Sequence, residues 1–226
     1  MPMFVLLEAR VSSEPAIQGS PRLPIELIEL IIDHLHDDGD ALRACKQVSR
    51  SFLPRTRFQL FHTITLSPRN LPVFLAIIGA SPFIAGVVHD LTINHPFASL
   101  FLTYVDAEEN LEIRRQLAMI TPMLTNVEVL RIRGHVGGRA DYIVELKGVK
   151  ELHLHECVIS KLSDFADIMY SFPKLQAIHC TVSDVGRGVV TSVKPPAGWA
   201  PRKLAFVNTR IDPYLFIPWL IGHESL

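Results

Sequence analysis

The sequence predicts a mixed chain, α+β overall, in which a small three-helix unit (residues 21–62) precedes an α/β array with a parallel sheet (residues 63–226). Three observations carry this expectation. Apolar residues recur at helical spacing through Leu27, Ile28, Ile31, Ile32 and Leu35, and again through Leu42 and Cys45. After His62 that spacing gives way to short apolar–x–apolar triplets, the pattern of strands whose alternate side chains face opposite ways. Helical spacing returns between the triplets, and strand–helix–strand units close as right-handed crossovers within a parallel sheet.

Residues 1–20, MPMFVLLEARVSSEPAIQGS, read as a mobile tail. Their apolar run has no basic flank and is broken early by Glu8 and Arg10, unlike a secretory leader, and the acids argue against a mitochondrial address. Pro24 suits the first position of a helix and Glu26 its first turn, where an anion meets the positive end of the dipole. Leu27, Ile28, Ile31, Ile32 and Leu35 form one broad apolar face. Asp37 to Asp40 (DDGD) stop the helix, with Gly39 taking the positive φ of a corner and Asp40 capping the next helix. Its inward stripe is Ala41, Leu42, Cys45 and Val48. Ser49 or Ser51 starts a third helical piece with Pro54 in its first turn, and Phe58, Leu60 and Phe61 supply bulky anchors. Such a unit, about forty residues long, is too small to bury all its apolar surface, so part of that surface meets another body.

Leu23-Pro24-Ile25-Glu26-Leu27-Ile28, followed by Ile31, Leu35, Leu42, Cys45, Val48-Ser49-Arg50 and Phe52, resembles an F-box. The continuation through Leu53-Pro54-Arg55, Leu60-Phe61-His62 and the Thr63-Ile64-Thr65-Leu66 strand resembles the F-box-like proteins of mushroom-forming fungi. Phe52 stands where many members carry Trp, which keeps the aromatic character. The resemblance implies a non-catalytic adaptor that joins a target protein to a cullin–RING ubiquitin ligase. Its F-box would bind a Skp-type adaptor, and through it a cullin, with Leu23, Pro24, Leu27, Ile28, Ile31 and Val48 as the contact residues. The competing reading is an F-box-like scaffold, or a decayed paralogue, that works outside any ligase.

The triplets are Ile64-Thr65-Leu66, Leu91-Thr92-Ile93, Leu130-Arg131-Ile132, Leu152-His153-Leu154, Ile178-His179-Cys180 and Leu204-Ala205-Phe206. Turn-like approaches such as Asn126-Val127-Glu128 and Gly148-Val149-Lys150-Glu151 introduce them, and they recur every twenty to forty residues or so, the period of leucine-rich repeats and their irregular relatives. Helices are expected over 72–79, over 106–123 and over 163–172. In the second, Leu111, Ile113, Leu117, Ile120 and Leu124 line one side, while Glu108, Glu109, Arg114 and Arg115 stay in water. In the third, Ser163 caps, Asp164 sits in the first turn and Phe165, Ile168, Met169 and Phe172 are buried. The stretch 182–201 reads as a loop with a small extra strand at 188–193. A last helix from Asp212 carries Leu215, Phe216, Trp219 and Leu220, and an array ending on such an uncapped apolar helix is expected to be truncated at its C-terminus.

Apolar residues make up 48% of the chain, but charge or proline breaks every apolar run short of a membrane-spanning length, so no membrane partner is expected. Twenty-two basic against 23 acidic residues (net −1) leave no electrostatic footprint for nucleic acid. The three cysteines, Cys45, Cys157 and Cys180, form an odd set without metal-ligand spacing and read as reduced thiols of a cytoplasmic or nuclear protein. No G-x-S-x-G, phosphate loop or H-E-x-x-H is present, and no cofactor is implied. Gly134, Gly137 and Gly138 read as a turn, and Asp37, Asp38 and Asp40 as a corner rather than a cation loop. Aligning the triplets sets His153 beside His179, about 5 Å across a parallel ladder, with His155 on the same face. Three imidazoles together raise the question of zinc; the middle position of a repeat strand answers it with a solvated polar face, so no metal is assigned. Thr92, Asn94, Arg131, Arg133 and Thr181 share that face, a weakly basic docking surface for an unidentified protein substrate.

Overall fold

The structure is a computed structural model and describes residues 23–94, 104–136, 142–159, 161–185, 199 and 201–207. The expected tail over 1–20, Gly137 and Gly138, the strand at 188–193 and the helix from Asp212 lie outside the described residues.

Three helices open the chain: α1 (Ile25–Asp33), α2 (Gly39–Val48) and α3 (Leu53–His62), with a single 3-10 turn at Arg50–Phe52 before α3. Several local expectations shift by a residue. Pro24 is the N-cap of α1 rather than its first residue, and its carbonyl accepts from the amides of Leu27 (3.1 Å) and Ile28 (3.2 Å). Asp38, not Asp40, caps α2, because its carboxylate meets the amides of Asp40 (3.1 Å) and Ala41 (2.9 Å), the two an N-cap side chain can reach. Gly39 is therefore already helical, with no positive φ, and Asp40 is left to pair with Arg43. Ser49 caps the 3-10 turn through the Ser51 amide (3.3 Å). Asp33 at the end of α1 grips α3: it accepts two hydrogen bonds from the Arg55 guanidinium and one from Gln59 (2.6 Å). That guanidinium holds the Asp33 carboxyl below its ordinary range. Where α3 meets the array, His62 stacks on His89 (centroids 4.9 Å apart) and Phe58 leans on both rings.

The array contains β1 (Thr63–Leu66), α4 (Leu71–Ala80), β2 (Asp90–Asn94), α5 (Tyr104–Ile120), β3 (Val129–Val136), β4 (Glu151–Ile159), α6 (Leu162–Tyr170), β5 (Ala177–Val185) and β6 (Lys203–Phe206). The strands make one six-stranded sheet, all neighbours parallel, in the order β1-β2-β3-β4-β5-β6. All six sequence triplets fall on strands and in one register: Ile64, Leu91, Leu130, Leu152, Ile178 and Leu204 stand side by side. Two residues on, Leu66, Ile93, Ile132, Leu154, Cys180 and Phe206 form the second apolar row. Against these rows pack Leu71, Phe74 and Ile78 of α4, Ile113, Leu117 and Ile120 of α5, and Phe165, Ile168 and Met169 of α6, followed by Phe172. Leu111 does not join them. It lies two residues, about 200°, from Ile113 around α5 and is exposed. Ser163, expected as a cap, is the second residue of α6.

The turns that feed the strands form a ladder of their own. The carbonyl of His89 accepts the amides of Glu128 (2.9 Å) and Val129 (3.0 Å), and that of Glu128 accepts Lys150 (2.8 Å) and Glu151 (3.0 Å). Lys150 in turn accepts Gln176 (2.7 Å) and Ala177 (3.0 Å), and Gln176 accepts Arg202 (2.8 Å) and Lys203 (3.1 Å). One carbonyl thus serves two amides of the next turn, which satisfies buried backbone groups and locks strand register. Gly148 lies inside this ladder. A Cβ there would stand 2.9 Å from the Val127 carbonyl oxygen and 3.3 Å from that of Thr125, both backbone atoms with nowhere to move. Gly148→Ala is therefore expected to destabilise the chain by about 1–3 kcal/mol, as overpacking does. A denaturant melt checks this; an unchanged midpoint would mean the turns are not held together as described.

Gly134 is not in a turn. It lies within β3 at φ 98°, where the β3–β4 register shifts between Arg133 and His135. Glu156 on β4 takes the left-handed region too (φ 50°), at a matching irregularity. The paired strands therefore bulge just beyond Arg133 and His155, a device that re-aims side chains at a sheet's end. Among the described residues no helix is long and apolar enough to cross a membrane.

Candidate functional site

Two surfaces stand out. The first is on α1, whose apolar residues cover more than half of its circumference, with Glu26, Glu29 and Asp33 together on the remainder. Ile32 is buried against α3, with Ile28 one turn earlier and Leu35 half-buried on the same flank. The broad face expected from the sequence is thus split. Leu23 (57% exposed), Leu27 (46%), Leu30 (52%) and Ile31 (51%) project on the opposite side into water. Leu27, Leu30 and Ile31 line up as one ridge at i, i+3 and i+4, the arrangement an amphipathic helix presents to a groove, and Leu23 stands exposed just before the helix begins. Pro24 is exposed at the start of the ridge. Val48, expected on the inward stripe of α2, is 71% exposed at that helix's end, while Leu42 alone of that stripe is buried. Of the six expected contact residues, five are exposed and Ile28 is half-buried. Leu30 and Ile25 (42% exposed) are not among the six expected contacts, although Ile25 belongs to the F-box-like stretch and Leu30 lies three residues from Leu27 and seven from Leu23.

The second surface is the polar face of the sheet. Register places Thr65, Thr92, Arg131, His153, His179 and Ala205 in one row. Asn94, Arg133, His155 and Thr181 form the next. All eight residues expected on this face are on it. His153 and His179 stack with centroids 4.6 Å apart and planes within 5°, as adjacent parallel strands require, and His155 lies 6.0 Å from His153. Arg131 is tied to Asp90 on β2, and Glu151 reaches His153 at 3.4 Å. Burial is the main influence that lowers the His153 pKa below its ordinary value, helped by the neighbouring His179 and Arg131 and opposed by Glu151. Burial, Arg133 and Arg131 lower that of His155. Both shifts favour the neutral imidazole over the imidazolium.

These rings are poorly placed to share a metal. A ring nitrogen offers its lone pair in the ring plane, and stacked planes run parallel rather than converge on one point. Among the described residues no group of three or more His, Cys, Asp or Glu can hold an ion. Added zinc is expected to leave the melting temperature unchanged, whereas a real site would raise it by mass action; a saturable rise abolished by His153→Ala with His179→Ala would contradict this. Two of the three thiols offer no nucleophile. Cys157 and Cys180 are buried, and burial pushes Cys157 up to about 12 and Cys180 higher still. Cys157 instead donates to the Ile132 carbonyl (3.2 Å).

Compared with known proteins, the chain matches no family model, no curated protein and no solved structure.

Proposed function

We propose that this chain is a non-catalytic, F-box-like adaptor. Residues 21–62 dock on a Skp-type adaptor, and through it on a cullin, while the following leucine-rich-repeat-like array selects a protein substrate. The observation that carries the reading is the outward ridge of α1. Three large aliphatic side chains of α1, with Leu23 just ahead of it, stand in water although the helix's other flank is already packed and burying each would stabilise the chain. Leu27 and Ile31 of the ridge, with Leu23 and Pro24 ahead of it and Ile28 beside it, are among the residues through which the sequence resembles an F-box. Leu23, Pro24, Leu27, Ile28, Ile31 and Val48 are accordingly read as the adaptor contacts. The triplet period and the sequential parallel sheet support the repeat reading, and the polar face supports a docking role. An adaptor of this kind works in the cytoplasm or nucleus. Calorimetric titration of the intact chain with a purified Skp-type adaptor tests the reading. Saturable binding at one-to-one stoichiometry is expected, and no heat at any ratio would favour a scaffold working outside a ligase.

A further inference from the structure

We propose that the polar face of the sheet binds an acidic peptide segment more tightly as the pH falls, with His153 and His155 taking up the protons. This rests on reading that face as the partner-docking surface and names the chemistry of the partner.

The charges that face the three imidazoles come from every strand around them. β2 contributes Asp90, β3 Arg131 and Arg133, β4 Glu151 and Glu156, β5 no charge among its described side chains beyond His179 itself, and β6 Lys203. Three cations therefore balance three anions while the imidazoles are neutral. Asp90 is engaged by Arg131, and Glu151 leans on His153 from one side only. The row of Asn94, Arg133, His155 and Thr181 holds no acid, and Arg133 is exposed with no ion pair among the described residues. Protonating His153 and His155 unaided sets like charges 6.0 Å apart, beside two arginines. A carboxylate laid across the pair removes that obstacle, so binding and proton uptake are coupled. Each proton taken up on binding strengthens affinity by up to about tenfold per pH unit through the midpoint region, by the same linkage that ties pKa to stability. The peptide's own glutamates titrate near 4.3 and stay ionised through this range, so their protonation would produce the opposite trend.

The test uses the intact chain and two fluorescent peptides of equal length, one Glu-rich and one with Gln in place of each Glu. Binding is measured by anisotropy at about pH 6 and about pH 7.5, with an expected difference of at least about tenfold for the Glu peptide and none for the Gln peptide. His153→Gln with His155→Gln should flatten the pH dependence, and Arg133→Ala should weaken binding at both values. Because these side chains are on the surface rows, retained circular dichroism shows that loss of binding is not loss of fold. His155→Gln provides a second, milder variant. Absence of Glu-peptide binding at the lower pH, equal binding of the Gln peptide, or an unchanged pH slope in the histidine variants would each overturn the proposal. Leu27→Asp should leave peptide binding unchanged while disrupting the adaptor contact, so failure of one reading is distinguishable from failure of the other.

Discussion

Replacing Leu27 and Ile31 by Asp is expected to abolish measurable adaptor binding while the chain stays folded. Both side chains are about half exposed, so the folded state loses little when they change. In a packed interface the same side chains become anchors. Truncating one commonly costs about 2 kcal/mol or more, roughly thirtyfold in affinity, and a buried carboxylate adds a desolvation penalty. Leu23 and Pro24 should show a smaller loss when changed to Ala, since they stand at the end of the ridge. The informative control is Ile32→Ala on the inner flank. It should destabilise the unit by about 2–5 kcal/mol and weaken binding only by unfolding α1. Affinity unchanged in the Asp variants would remove the ridge from the interface.

The second large effect is in the array. Phe172 is fully buried just after α6 and belongs to the same apolar cluster as the sheet rows. Phe172→Ala should cost about 3–5 kcal/mol, a large share of the roughly 5–15 kcal/mol that holds a typical domain folded. Chemical denaturation of the variant should show the loss as a midpoint shift. Phe172→Leu, which keeps most of the volume, should lose clearly less. Equal losses for the two would mean that ring shape rather than buried volume decides.

What the sequence disclosed and what it withheld follow from physics. Strand alternation is a property of three consecutive residues, so Leu91-Thr92-Ile93 and Leu152-His153-Leu154 announce both their strands and their facing, and the register of His153 with His179 follows from aligning them. Helix facing was harder in α1, because its apolar arc is wider than the one face that packs on α3. Nothing local distinguishes Ile31, which is exposed, from Ile32, which is buried; the choice is made by where Asp33 finds Arg55 and Gln59 on α3. In DDGD three aspartates compete to cap α2, and only backbone geometry selects Asp38. The bulge at Gly134 and Glu156 depends on two strands at once, and no single stretch of chain records it. The shared carbonyls of the turn ladder are likewise contacts between successive turns, visible in sequence only as polar approaches to each strand.

The central claim is that α1 meets a Skp-type adaptor through its outward ridge. Hydrogen–deuterium exchange of the intact chain, alone and with saturating adaptor, tests this most directly. Slowed exchange is expected over α1 and the end of α2, with β3 to β5 unchanged. Slowing confined to the sheet, or none anywhere under saturating adaptor, would contradict it.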